Sequence, residues 1–150
     1  MSEDNKLTVN LYRDGSIESS HEVNLYSNKK QYDDYFFPRS SVKPMQVIPL
    51  LLEASNQNIE FTSEEIALFA ASHSGQVEHI ELLRETAKKF KVDLEHIICG
   101  PQRPFHDETA DNLLIIGEKF TKLHNNCSGK HLSMLIFSKL LSVDLSLIHI

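Results

Sequence analysis

Tryptophan is absent from the chain, and cysteine occurs only twice, at Cys99 and Cys127. Two cysteines do not make a disulfide framework, so the reading is free thiols in a reducing cytoplasm. No apolar run approaches the roughly 18 residues needed to span a bilayer, which argues against a membrane partner. The start, MSEDNK, carries neither the basic n-region nor the apolar h-region of a secretory signal. Positive charge is also scarce. Fifteen Lys and Arg stand against 21 Asp and Glu, a formal net charge of −6. Nucleic-acid surfaces need concentrated Lys and Arg, so no nucleic-acid partner is expected. The Lys-Lys pairs at 29–30 and 88–89 have acidic neighbours and read as solvated faces.

What is present describes one ordinary domain. At 150 residues, 41% hydrophobic and 24% charged, the chain has a globular composition. KLTVNLYRDGSIESSHEVNLYS alternates apolar and polar residues on both sides of Asp14-Gly15, the signature of a hairpin. A polar stretch (27–34) follows, and then YFFP, a short aromatic strand closed by Pro38. From residue 41 the period changes to helical. SVKPMQVIPLLLEAS places Val42, Met45, Val47, Ile48, Leu51 and Leu52 on a broad apolar stripe. Pro44 suits a first turn, and Pro49 predicts a kink or a short break. TSEEIALFAASHS opens on a Thr62 or Ser63 cap. QVEHIELLRETAKKF has Val77, Ile80, Leu83 and Ala87 on one face. DETADNLLIIGEKF and SGKHLSMLIFSKLL complete the helices. Strands first, then about five helices, with neither βαβ alternation nor a repeat, predict an α+β domain. Its sheet should need more strands than the two or three visible.

Four short motifs carry chemistry. PRSSVKP holds Ser40-x-x-Lys43 at a strand-to-helix junction, where one helical turn would set an amine beside a hydroxyl. A lysine whose pKa falls on burial can accept the serine proton and release a nucleophile. Helix capping by Ser40 or Ser41 explains the same residues, and the chain holds a second such spacing, Ser27-x-x-Lys30. ASHSG (71–75, preceded by Ala70) offers Ser72 and Ser74 as hydroxyl donors, or an ordinary helix end with Gly75 in the left-handed position. CGPQRP is a rigid turn whose Cys99 follows an apolar HII and reads as a small buried hydrophobe. LHNNCSGKH, residues 123–131, concentrates the most reactive side chains. Cys127 with His124 or His131 could ligate zinc, although the paired spacings usual for that metal are missing. Cys127 could be a nucleophile beside Lys130 and His131 at a helix start. Asn125 and Asn126 could clamp a carboxylate or an amide, or the stretch could simply be a turn. His21, His96, His106 and His149 are isolated and read as surface or satisfied histidines.

Together, in this order and at these separations, FPRSSVKP, ASHSG followed by EHI, the CGP and RP turn, and LHNNCSGKH resemble the asparaginase II family, the Rhizobium-type L-asparaginases. The resemblance runs from about Leu7 to Val143. It implies hydrolysis of L-asparagine to aspartate and ammonia in a commonly homodimeric enzyme. The implied fold is a mixed α+β arrangement similar to the serine β-lactamase and penicillin-binding group. By motif, Ser40 and Lys43 match one Ser–Lys pair and Ser72 the serine of a second. Cys127 and Lys130 match two ligands of a zinc site, Lys130 binding as the neutral amine. Arg39, His73 and Asn126 fall in the same blocks as candidate substrate-binding residues. Gln102 departs from the histidine that family members often carry in the CGP turn.

Family chains are roughly twice as long, so residues 1–144 are expected to be an N-terminal portion of the domain. A lysine partner for Ser72 and a further zinc cysteine would lie beyond it. The portion alone is then expected to bind zinc weakly, release no ammonia and associate. LSLIHI, residues 145–150, is what the end of a transposon adapter used in sequencing libraries encodes, so native sequence is expected to stop near Asp144. Two rival functions remain: a penicillin-binding or β-lactamase-like serine acyl transferase, and a non-catalytic zinc-binding module. Against the first, neither a Ser-x-Asn nor a Lys-Thr-Gly element occurs.

Overall fold

In a computed structural model of the protein, residues 6–13, 16–24 and 39–143 are described. The chain divides into two units, Met1–Pro38 and Arg39–Ile150. In the first, β1 (Lys6–Arg13) and β2 (Ser16–Asn24) pair antiparallel, with Arg13 opposite Ser16 and Lys6 opposite Asn24. A register irregularity falls between Leu11 and Tyr12. Period-2 alternation had predicted this hairpin. Asp14-Gly15, the polar stretch 27–34, YFFP and the 145–150 tail lie outside the described residues.

The second unit is helical: α1 (Lys43–Asn56), α2 (Ser63–Ala70), α3 (Val77–Lys89), α4 (Asp107–Ile115) and α5 (Ser128–Leu140). A 3₁₀ turn, Arg39–Val42, leads into α1. Pro44 occupies the first turn, where its missing N–H costs nothing, and α1 continues through Pro49 without the predicted break. Helix α2 starts on a capping box, Thr62 Oγ accepting from Glu65 N–H while the Glu65 carboxylate accepts from Thr62 N–H. Buried Glu65 is then held by Lys89 at 2.9 Å.

The core gathers Val47 and Leu50 of α1, Leu68 and Phe69 of α2, Ile80 and Leu83 of α3, and Leu132 and Ile136 of α5. Each such side chain contributes about 2 kcal/mol by leaving water. Helix α5 packs against both α1 and α2. Its crossing with α2 depends on Gly129, where a Cβ would lie 2.2 Å from the Leu68 carbonyl oxygen. Only a residue without a side chain allows that approach.

The α+β, serine β-lactamase-like expectation is corrected here: among the described residues the protein is mostly helical, with five α-helices. Among the described residues, strand is confined to one two-stranded hairpin. The physical reason lies in the hydrophobic period. Beyond residue 41 the apolar positions recur at helical spacing and bury against one another, leaving no second set of strands to extend a sheet. The α1 stripe is also corrected. Its buried face is Lys43, Val47, Leu50 and Ala54, whereas Met45, Ile48 and Leu52 are exposed. The helix is apolar on several faces, so pattern alone could not say which would be covered. Val77 is likewise exposed, while Ile80, Leu83 and Ala87 turn inward as expected. Among the described residues, no helix is long and apolar enough to cross a membrane.

Candidate active site

The first residue of α1 reaches the end of α2. Lys43 is 5% exposed, and its Nζ donates to Ser72 Oγ at 2.9 Å, to the Ala71 carbonyl at 3.2 Å and to the Asn126 carbonyl at 3.3 Å. None of these partners is a carboxylate. The ion pairs among the described residues, Glu65–Lys89, Arg103 with Asp107 and Asp111, and Glu95–Lys122, involve other residues. Ser72 itself is exposed, so its hydroxyl faces solvent with a buried amine behind it. Helix α2 ends at Ala70 and its C-cap, Ala71, is extended, which turns Ser72 out of the helix and toward Lys43.

Three segments therefore meet: the start of α1, the ASHSG turn and the NNCSGKH block. Ser40 and Arg39 precede Lys43 on the exposed 3₁₀ turn. Among the described residues, no hydrogen bond joins Ser40 to Lys43; the lysine serves Ser72 instead. Arg39 takes a positive φ of 49°, a left-handed conformation unusual for a residue with a Cβ.

His73 is only 4% exposed. Its Nδ1 accepts from Gly75 N–H at 3.1 Å, so the proton of the neutral ring sits on Nε2, 2.8 Å from Ser128 Oγ. The Ser128 hydroxyl donates onward to the Leu123 carbonyl at 2.9 Å. Burial, with help from His79, Lys43 and His124, lowers the His73 pKa to about 4. Both ring nitrogens are thus engaged within the protein, and His73 ties the ASHSG turn to the first residue of α5. Ser128 is the member of this relay that sequence reasoning missed. Its signal was a position inside the NNCSGKH block, but serine there reads equally well as turn chemistry.

The two asparagines split their work. Asn125 Oδ1 accepts from Cys127 N–H and its Nδ2 donates to the Gly100 carbonyl, fixing the block against the CGP turn. Asn126 Oδ1 accepts from the Cys127 thiol at 3.3 Å. Its Nδ2 has no partner among the described residues and is available to a ligand.

Cys127 is half-buried and precedes α5 as its N-cap. Lys130, 6% exposed, has its pKa lowered by burial and then by the charge of Lys43. A lowered amine pKa is what a metal-ligating lysine requires, so these two donors fit a zinc ion in kind. His131, half-buried on the next position, is also shifted down by burial and by both lysines. Cys99 is half-buried against the core, and its thiol pKa is raised by burial and then by Cys127. Among the described residues, no cluster of three or more His, Cys, Asp or Glu side chains is placed to hold a metal.

These three segments are the blocks by which the sequence resembled a known family, and residues 9–148 match the L-asparaginase II family. The chain belongs to that family. Membership brings asparagine hydrolysis at the level of the family, and with it the amidohydrolase class. No curated protein matches the chain.

Proposed function

We propose that this L-asparaginase II family member hydrolyses L-asparagine with Ser72 as nucleophile and Lys43 as its proton acceptor and donor. One observation carries the reading: an exposed serine hydroxyl lies 2.9 Å from a buried lysine amine that pairs with no carboxylate among the described residues. Lys43 takes the Ser72 proton as Oγ bonds to the side-chain carboxamide carbon of asparagine. The tetrahedral intermediate collapses by breaking the C–N bond. Lys43 returns the proton to the departing nitrogen, releasing ammonia and leaving an aspartyl ester on Ser72. Water, deprotonated by the same amine, then hydrolyses the ester and restores both residues.

The Asn126 Nδ2 donates to a carbonyl or carboxylate oxygen of the substrate, and Arg39 supplies charge for the α-carboxylate. His73 acts as a positioning residue through Ser128. Ser40 is the second candidate nucleophile, favoured by its one-turn spacing from Lys43. Cys127 and Lys130 would hold zinc, and a bound ion would supply Lewis-acid polarisation of the scissile carbonyl. The resemblance implies a homodimer working on a small-molecule substrate, and the two free cysteines fit a reducing cytoplasm.

The test is ammonia release from L-asparagine, followed by trapping of the acyl-enzyme and mapping of the modified peptide. An adduct on the peptide containing Ser72 supports the assignment. An adduct on Ser40 transfers the nucleophile to that residue, and turnover without any adduct favours direct attack by water.

A further inference from the structure

Helices α3 and α4 leave between them a cavity of about 280 Å³, lined also by Gly75 of the ASHSG turn. Its walls are apolar, built by Val77 and Ile80 of α3 and by Leu113 and Ile116. Polar side chains interrupt them: Glu81, Arg84, Thr109, Asn112 and His124. Arg84 lines the cavity and has neither an ion pair nor a hydrogen bond among the described residues. His124 lines it too, and is 9% exposed. The His124 Nδ1 accepts from Thr121 N–H at 2.9 Å, which places the proton of the neutral ring on Nε2. That Nε2–H has no partner among the described residues.

We propose that this cavity binds a small carboxylate with a short branched or linear aliphatic body of about four to six carbons. The carboxylate is held by Arg84 and His124 Nε2–H, and the aliphatic body by the apolar walls. A guanidinium beside a neutral imidazole N–H offers N–H donors and one positive charge, which suits a single carboxylate. The volume is at the small end for a ligand pocket, which excludes nucleotides and other large anions. Glu81, also on the lining, could receive an α-ammonium group, so the same chemistry has two sources: a simple monocarboxylic acid or an aliphatic α-amino acid.

The cavity is separate from the Lys43–Ser72 pair but borders the same ASHSG turn. Gly75, on the lining, donates to His73, and a Cβ at Gly75 would meet the His124 carbonyl oxygen at 3.1 Å.

Calorimetric titration of the full chain with 4-methylpentanoate, 4-methylpentanamide and leucine tests the proposal. Methyl spectra of Ile80 and Ile116 report the location. The carboxylate should bind saturably and shift both methyls, with the amide about tenfold weaker or more. Arg84→Gln, at an exposed residue without a hydrogen bond or ion pair among the described residues, should keep the far-UV spectrum and lose about tenfold in affinity. Leucine binding that exceeds the carboxylate's and falls with Glu81→Gln identifies an amino-acid site; equal or weaker binding identifies a simple carboxylate site. Absence of heat and of methyl shifts at tens of millimolar overturns the proposal. So does unchanged affinity in Arg84→Gln.

Discussion

Lys43 and Ser72, 29 residues apart, share a 2.9 Å hydrogen bond that joins the start of α1 to the turn after α2. The same amine also donates to the Asn126 carbonyl, so one side chain gathers three blocks of the motif set. Removing either member should stop proton transfer while sparing the core. We expect Ser72→Ala and Lys43→Met to lower the rate of ammonia release by about 10² to 10⁴-fold. Lys43→Arg should not rescue it, because guanidinium does not give up its proton at working pH. A steady-state assay beside far-UV circular dichroism checks this, and full activity in Ser72→Ala would pass the nucleophile's role to Ser40.

His73 gives the fold a pH dependence of definite sign. Its folded pKa is about 4 against an ordinary 6.5, burial being the first cause. Between those values the unfolded chain binds the proton more tightly, so stability rises with pH across the window. The contribution is complete above the unfolded value and is lost as pH falls toward 4. A shift of that size is worth about 3 kcal/mol. Urea midpoints measured from pH 7 to pH 4 should therefore fall less steeply in His73→Gln than in the unaltered chain. His124 and His131 are lowered in the same direction, so comparison with the variant isolates His73.

Gly129 sets how closely α5 crosses α2. With a Cβ 2.2 Å from the Leu68 carbonyl oxygen, Gly129→Ala must push the two backbones apart. We expect a loss of about 3 kcal/mol, at the upper end for overpacking. A drop in thermal midpoint much smaller than that would mean the helices slide without cost. An alanine is ordinarily the better helix former, so the sign of this change separates tertiary contact from propensity.

Helix positions were legible because caps and period agree locally: Thr62 with Glu65 starts α2, and Ile80, Leu83 and Ala87 share one turn-spaced face. What failed was non-local. The sequence of α1 carries apolar residues on several faces, and only packing against α2 and α5 decides that Leu50 is buried while Leu52 is not. The α+β expectation failed for a related reason, since it required strands beyond those that period-2 alternation showed. For the candidate site, the motifs singled out Lys43, Ser72 and Asn126, which the structure brings together, yet spacing along one helix suggests Ser40 as the lysine's hydrogen-bond partner. The actual partner comes from another element, and no one-dimensional spacing encodes that distance. The Ser128 link to His73, across 55 residues, was hidden in the same way.

Cys127 and Lys130 offer a thiol and an amine one turn apart at the start of α5, and metal binding by them has a clear signature. Both must shed a proton before they ligate, so affinity should climb with pH. Burial and the neighbouring Lys43 charge already lower the Lys130 pKa, which brings its neutral form nearer to neutral pH than an exposed lysine's. Cobalt titration reads the thiolate directly, through its ligand-to-metal charge-transfer absorption. We expect that band in the unaltered chain, its loss in Cys127→Ala, and a shift of the titration to higher metal concentration in Lys130→Met. Cys99→Ser should leave the band in place if that thiol is the core-packed group its raised pKa and half-burial describe. A band that survives Cys127→Ala and disappears in Cys99→Ser would instead move the metal's thiolate to the CGP turn.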